Sequence, residues 1–186
     1  MTTFRSLAIP EVIEVVPNRF GDERGFFSET YNAATFARGG VECTWVQDNH
    51  SLSAEPGTVR GLHLQAPPAA QDKLIRVVRG AIFDVAVDVR AGSPTYGQWV
   101  GVELSSEQWN QLFVPQGFAH GFMTITPDAE VLYKVSALYS PEHEMAIRWD
   151  DPDIGIEWPR PLSSLSGKDA VASAFREHQP VFRYQG

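Results

Sequence analysis

Leu74-Ile75-Arg76-Val77-Val78, a turn at Arg79-Gly80, and the run Phe83-Asp84-Val85-Ala86-Val87-Asp88-Val89 decide the fold. In the last of these, Phe83, Val85, Val87 and Val89 alternate with Asp84, Ala86 and Asp88. Side chains of an extended chain point to opposite faces in turn, so a period of two predicts a β-strand. The apolar run before the turn predicts a neighbouring strand. The same pattern continues outward. Strands are expected over residues 99–104, 112–114, 121–125 and 131–138, and earlier over 12–16, 25–31, 45–51 and 58–65. Gly, Pro and Asp separate them. Helix is expected only at 32–38, with Asn32 as cap and Gly39 as stop, and at 169–177. About ten short strands in a chain of 186 residues predict an all-β jelly roll with a few short helices. The sequence holds no internal repeat or linker, so residues 1–186 read as one domain.

Composition narrows the function. A hydrophobic fraction of 43% and a charged fraction of 20% are those of an ordinary globular protein. A formal charge of −8 argues against nucleic acid as a partner but permits a local basic pocket for a small anion. Cys43 is the single cysteine, so no internal disulfide can form, and a reducing cytoplasm is the expected location. Cys43 itself reads as a small buried residue. No apolar run reaches the roughly 18–20 residues of a membrane span, and the first ten residues lack a signal-peptide core.

Strand parity then singles out polar side chains. Lys73 shares a face with Ile75 and Val77, and Tyr133 with Val131 and Val135. If these faces line a barrel, a lysine and a tyrosine project inward. A buried lysine is costly unless it meets an anion or a developing negative charge. The bland alternatives are a lysine at the barrel mouth and a tyrosine of the core. Gln47 and Asn49 share another face. Arg60 and His63 differ by an odd number, so a regular strand would part them; Gly61 between them permits a bulge that turns both inward.

Residues 115–120 read Pro115-Gln116-Gly117-Phe118-Ala119-His120. This run resembles the second motif of cupin barrels, whose histidine usually binds metal. In the place of the first motif, His-x-His followed by Glu, stands His63-Leu64-Gln65, and the Glu is absent. A catalytic metal generally takes three protein ligands, and two histidines remain. A cupin-type barrel working without metal or other cofactor is expected.

Several segments together resemble the dTDP-4-dehydrorhamnose 3,5-epimerase family. They include residues 22–29 (DERGFFSE), 47–51 (QDNHS), 59–63 (VRGLH), 73–80 (KLIRVVRG), 113–122 (FVPQGFAHGF), 132–134 (LYK), 147–152 (IRWDDP) and 165–169 (LSGKD). The resemblance runs in order through nearly the whole chain. It implies an isomerase that converts dTDP-4-dehydro-6-deoxy-D-glucose to dTDP-4-dehydro-L-rhamnose. It also implies a catalytic set of His63, Tyr133, Asp169 and Lys73. His63 would be the base, oriented by Asp169; Lys73 would steady the enolate oxygen; Tyr133 would return a proton from the other face.

The binding residues implied are Arg24, Phe27, Glu29, Gln47, Asn49, Arg60, Lys73, His120, Tyr139, Glu144 and Lys168. Arginines suit a diphosphate, and Tyr139 and Phe27 suit the thymine. Arg24, Phe27 and Glu29 are implied to reach the site of a partner subunit, hence a homodimer with the early strand exchanged. Read singly, Arg24 and Arg60 are equally surface ion-pair partners, and Glu144 a solvated turn residue. His50, His143 and His178 read as structural or solvent-facing, and Arg76 and Arg79 as strand residues facing water. Leu64 and Leu138 stand where relatives commonly carry an aromatic, which leaves open another base, a modified sugar or epimerisation at one carbon. A metal-dependent cupin enzyme and a non-catalytic nucleotide-sugar binder are the other readings.

Overall fold

The computed structural model describes residues 1–185. In chain order the strands are β1 (Thr3–Ser6), β2 (Ile13–Val16), β3 (Arg19–Asp22), β4 (Gly25–Ser28), β5 (Gln47–Ser53), β6 (Thr58–Gln65), β7 (Lys73–Arg79) and β8 (Ala81–Asp88). They continue with β9 (Arg90–Ala91), β10 (Trp99–Ser105), β11 (Gln111–Val114), β12 (Phe118–Thr124), β13 (Ala129–Val135), β14 (Glu144–Ala146), β15 (Ser164–Leu165) and β16 (Phe182–Arg183). The α-helices are α1 (Ala33–Arg38) and α2 (Gly167–Ala170).

Two sheets face each other. One has the order β1-β2-β11-β7-β13-β5, the other β10-β8-β12-β6-β14, with β15 added in parallel beside β6. Between them lies the main core. Ile75, Val77, Leu112, Val114 and Val131 of the first sheet meet Ile82, Ala86, Val100, Leu104, Phe118 and Phe122 of the second. This is the jelly-roll arrangement expected from the short alternating strands.

The decisive strand β8 is buried on both faces. Ile82 and Ala86 point into the barrel, with Asp84 between them on the same face. The face bearing Val85, Val87 and Val89 turns outward beneath a second core. Ile147, Ile154, Trp158 and Phe175 from the C-terminal third cover it there. A third core forms where Phe36 of α1 and Val41 pack on Ile13, Val15, Leu74 and Phe113. Asn32 caps α1, its side chain accepting from the Thr35 N–H at 3.1 Å.

Some expectations need correction. The strand expected at 131–138 ends at Val135, that at 25–31 ends at Ser28, and that at 121–125 begins at Phe118. The second helix, expected at 169–177, is the short α2 followed by a separate 3-10 turn, Phe175–Glu177. Between them Ser173 bridges to Ile147 and Asp151 accepts from the Phe175 N–H, so tertiary bonds claim backbone that a helix would have used. Cys43 is only partly buried. Arg76 does not simply face water: it is half-buried, with its guanidinium 5.9 Å from the Trp109 ring centre.

Candidate active site

The site is built where β6 breaks its regular register. His120 pairs with His63 and Phe122 with Arg60, so β6 spends one residue more than β12 over the same stretch. The extra residue is Gly61, at φ +108. A Cβ there would lie 2.6 Å from the His120 carbonyl oxygen and 2.7 Å from Gly121 Cα, so only glycine fits. The bulge re-aims the strand, and Arg60 and His63 line the same cleft.

Asp169 reaches this cleft from the far end of the chain. Ser164 and Leu165 of β15 run parallel beside Thr58 and Val59 of β6. Ser166 then caps α2 by accepting from the Asp169 N–H at 3.0 Å. Asp169 is thereby set against β6, and His63 Nε2 lies 2.5 Å from its Oδ1. Its other oxygen accepts a long bond, 3.5 Å, from the Gly61 N–H. Burial alone would raise the Asp169 carboxyl. The hydrogen bond and charge of His63, with Ser166 and Gly61, outweigh burial and hold it below the ordinary carboxylate value. The carboxylate takes up His63 Nε2–H, which leaves Nδ1 as the free basic nitrogen.

Lys73 and Tyr133 line the same cleft. Lys73 is 8% exposed and donates from Nζ to the His63 carbonyl oxygen at 3.2 Å. Burial lowers its pKa to about 8, against the attraction of Asp84 and Glu144. Tyr133 is raised, first by burial, with Glu144 adding and Arg60 opposing, so its hydroxyl keeps its proton at neutral pH. His120 Nε2 lies 2.6 Å from Asp84 Oδ1 inside the barrel.

Two lobes meet at His63, Lys73 and Tyr133. One adds Ser51, Arg60, His120 and Asp169; the other adds Gln47, Asn49, Tyr139 and Glu144. Glu144 is no solvated turn residue. It accepts from the Tyr139 hydroxyl at 2.7 Å and pairs with Lys168. Burial raises its carboxyl, and these two partners more than reverse that. Arg60 is not a surface ion-pair partner either, since it donates to Ser53 Oγ and the Leu52 carbonyl oxygen.

Gln65, at the position of the metal-binding histidine in the cupin pattern, has a structural task. Its amide donates to the carbonyl oxygens of Ala69 and Leu138 and accepts from the Ser140 N–H. With Gln47, which accepts from the Tyr139 N–H at 3.1 Å, it fixes the segment that carries Tyr139. Among the described residues no group of three or more His, Cys, Asp or Glu side chains is arranged to hold a metal.

Arg24, Phe27 and Glu29 do not join this cleft in their own chain. They sit on or just after the β3–β4 hairpin, where Arg24 pairs with Asp22 and Phe27 is 70% exposed. Cys43 stands apart from the cleft, and burial with nearby Asp72 pushes its thiol up to about 12, which makes it a poor nucleophile. Sequence reasoning missed Asp84, Ser51 and the strand β15. Asp84 had a signal in the sequence, a carboxylate between Ile82 and Ala86 on one face of β8; β15 is two residues long and had none.

A family model described as dTDP-4-dehydrorhamnose 3,5-epimerase matches residues 6–177. The chain belongs to the dTDP-4-dehydrorhamnose 3,5-epimerase family. A relative of that name from Sinorhizobium fredii is 54% identical over 182 residues, covering 97% of this chain and 93% of its own. A crystal structure of dTDP-6-deoxy-D-glucose-3,5-epimerase from Legionella pneumophila, in complex with dTDP-4-keto-L-rhamnose, superposes with TM-score 0.95. It is 42% identical, and the match covers 100% of both chains. The Bacillus anthracis epimerase, solved with TDP and pyrophosphate bound, superposes with TM-score 0.91 at 45% identity, covering 94% of this chain and 100% of that one. Of the segments that carry the resemblance, 47–51, 59–63, 73–80, 113–122, 132–134 and 165–169 each contribute lining residues to the cleft, whereas 22–29 and 147–152 do not.

Proposed function

We propose that the chain inverts C3 and C5 of dTDP-4-dehydro-6-deoxy-D-glucose, giving dTDP-4-dehydro-L-rhamnose, and that His63 is the base. One observation carries the assignment: His63, oriented by Asp169, faces the same cleft as a buried lysine and a protonated tyrosine. The C3 and C5 hydrogens both flank the C4 ketone, so each can leave as an enolate forms. His63 Nδ1 takes the proton. Lys73 meets the C4 oxygen, where negative charge develops, and a buried cation acts most strongly there because water does not screen it. Tyr133 supplies a proton to the opposite face, and return from that face inverts the carbon.

The lobe holding Gln47, Asn49, Tyr139 and Glu144, with Lys168 paired to Glu144 beside it, takes the nucleotide, with Tyr139 against thymine. Arg60 and His120 add polar contacts in the other lobe. The chemistry needs no metal: His63 Nε2 is already committed to Asp169, and Gln65 is committed to the backbone. A homodimer fits the exposed β3–β4 hairpin, whose Phe20, Phe26 and Phe27 are 60%, 56% and 70% exposed. Its Arg24 and Phe27, with Glu29 just beyond it, would complete the partner's cleft. No helix is long and apolar enough to cross a membrane among the described residues. A reducing cytoplasm suits the single unpaired cysteine.

The test is solvent exchange. In heavy water the natural substrate acquires deuterium at both C3 and C5, and His63→Ala abolishes both. Label at one carbon would make the enzyme a mono-epimerase, the reading that Leu64 and Leu138 leave open; label at neither would end the proposal.

A further inference from the structure

Asp84 lies behind His120, which lines the cleft, and has no part in the chemistry described so far. It is fully buried in β8, on the inward face with Ile82 and Ala86. One oxygen is 2.6 Å from His120 Nε2, and the other has no hydrogen-bond partner. A buried carboxylate is retained at substantial cost in an apolar core, and half of this one is unspent on hydrogen bonds. A short apolar side chain would fill that place between Ile82 and Ala86 without such a cost.

Two neighbours explain it. His120, on β12, needs its ring orientation fixed if it is to meet a ligand, and a carboxylate on Nε2 fixes both orientation and tautomer. Lys73, at the start of β7, needs a compensating negative charge to remain an ammonium while buried. The groups that face Lys73 are Asp84 of β8, Glu144 of β14, His63 of β6, His120 of β12 and Tyr133 of β13. Of the two carboxylates, Glu144 is committed to Lys168 and Tyr139, so Asp84 is the one left to balance Lys73.

We propose that Asp84 is a positioning residue for the epimerisation: its buried carboxylate locks His120 as the Nε2–H tautomer and keeps Lys73 cationic beneath the substrate's C4 oxygen. The inference rests on the reading of Lys73 given under Proposed function. Asp84 acts through these two side chains.

Asp84→Asn in the full-length protein tests it through the pH dependence of kcat/KM for dTDP-4-dehydro-6-deoxy-D-glucose. A cationic Lys73 is lost as pH rises. Removing the carboxylate therefore moves the alkaline fall in kcat/KM to lower pH, by at least about one unit for an opposite charge close by. Asp84→Glu keeps the charge and leaves that limb within a few tenths of a unit of its original position, whatever it does to kcat. An alkaline limb that stays put in Asp84→Asn, with the unaltered protein epimerising normally, overturns the proposal and spares the function. An unaltered protein that exchanges no hydrogen removes the function and the proposal together. If Asp84→Asn does not fold, the nitrogen-15 spectrum of the unaltered protein still decides: His120 carries its proton on Nε2, and an unprotonated Nε2 contradicts the proposal.

Discussion

At the scale of single residues, the site trades stability for chemistry at Lys73. Its folded pKa of about 8 lies below the ordinary 10.5, with burial as the main cause. Below about pH 8 both folded and unfolded chains hold the proton, and the buried ammonium destabilises the fold in full. Between about 8 and 10.5 the unfolded chain holds more protons than the folded one, so stability rises with pH and the penalty fades. Stability followed by denaturant unfolding should therefore rise from about pH 8 to 10.5 in the unaltered protein and lose that rise in Lys73→Met, while turnover of the variant falls roughly 10²- to 10³-fold or more. The same pH dependence in both proteins, with full activity in the variant, would contradict both halves. Asp169→Asn leaves the shape of the site but lets His63 take either tautomer. It should lower kcat roughly 10²- to 10⁴-fold with little change in KM, measured by steady-state kinetics.

Among the elements, β6 carries the most consequence. Gly61 sets the bulge that turns Arg60 and His63 to one side, and a methyl group there meets backbone on β12. Gly61→Ala should cost about 1–3 kcal/mol, checked by denaturant unfolding, and should lower activity more than the stability loss explains, since His63 moves with the bulge. This element also marks how far sequence could be read. Thr58–Gln65 was legible to the residue, because its alternation and turn signals agree. That Arg60 and His63 face the same cleft was only permitted by Gly61; parity alone left it open, since the register of β6 is set by β12, more than fifty residues away. The C-terminal region was legible least. The apolar spacing at 169–177 looks helical in isolation, yet Asp151 and Ile147 capture its backbone, and only α2 and a 3-10 turn remain. Asp169 was reached through resemblance alone, because no local pattern reveals that a four-residue helix will dock on β6.

Across the whole molecule, the unsatisfied feature is the β3–β4 hairpin, with its aromatic side chains in solvent and Arg24 held only by Asp22. If it completes a second copy's cleft, Phe27→Asp should weaken the dimer, seen by sedimentation, and raise KM for the dTDP-sugar, while Tm of the isolated chain changes little. Full affinity in a monomeric variant would contradict that. The jelly roll places His63, Lys73 and Tyr133 on three different strands from two facing sheets, lining one cleft; in the function proposed above, a sugar ring held between His63 and Tyr133 is served on both faces by one barrel. The most direct measurement of that arrangement is the fate of Tyr133→Phe in heavy water, followed by proton NMR of the dTDP-sugar. His63 still removes hydrogen and returns deuterium to the same face, so label should enter beside the ketone while inversion falls by at least about 10²-fold. Inversion at an undiminished rate, or no label at all, would contradict the account.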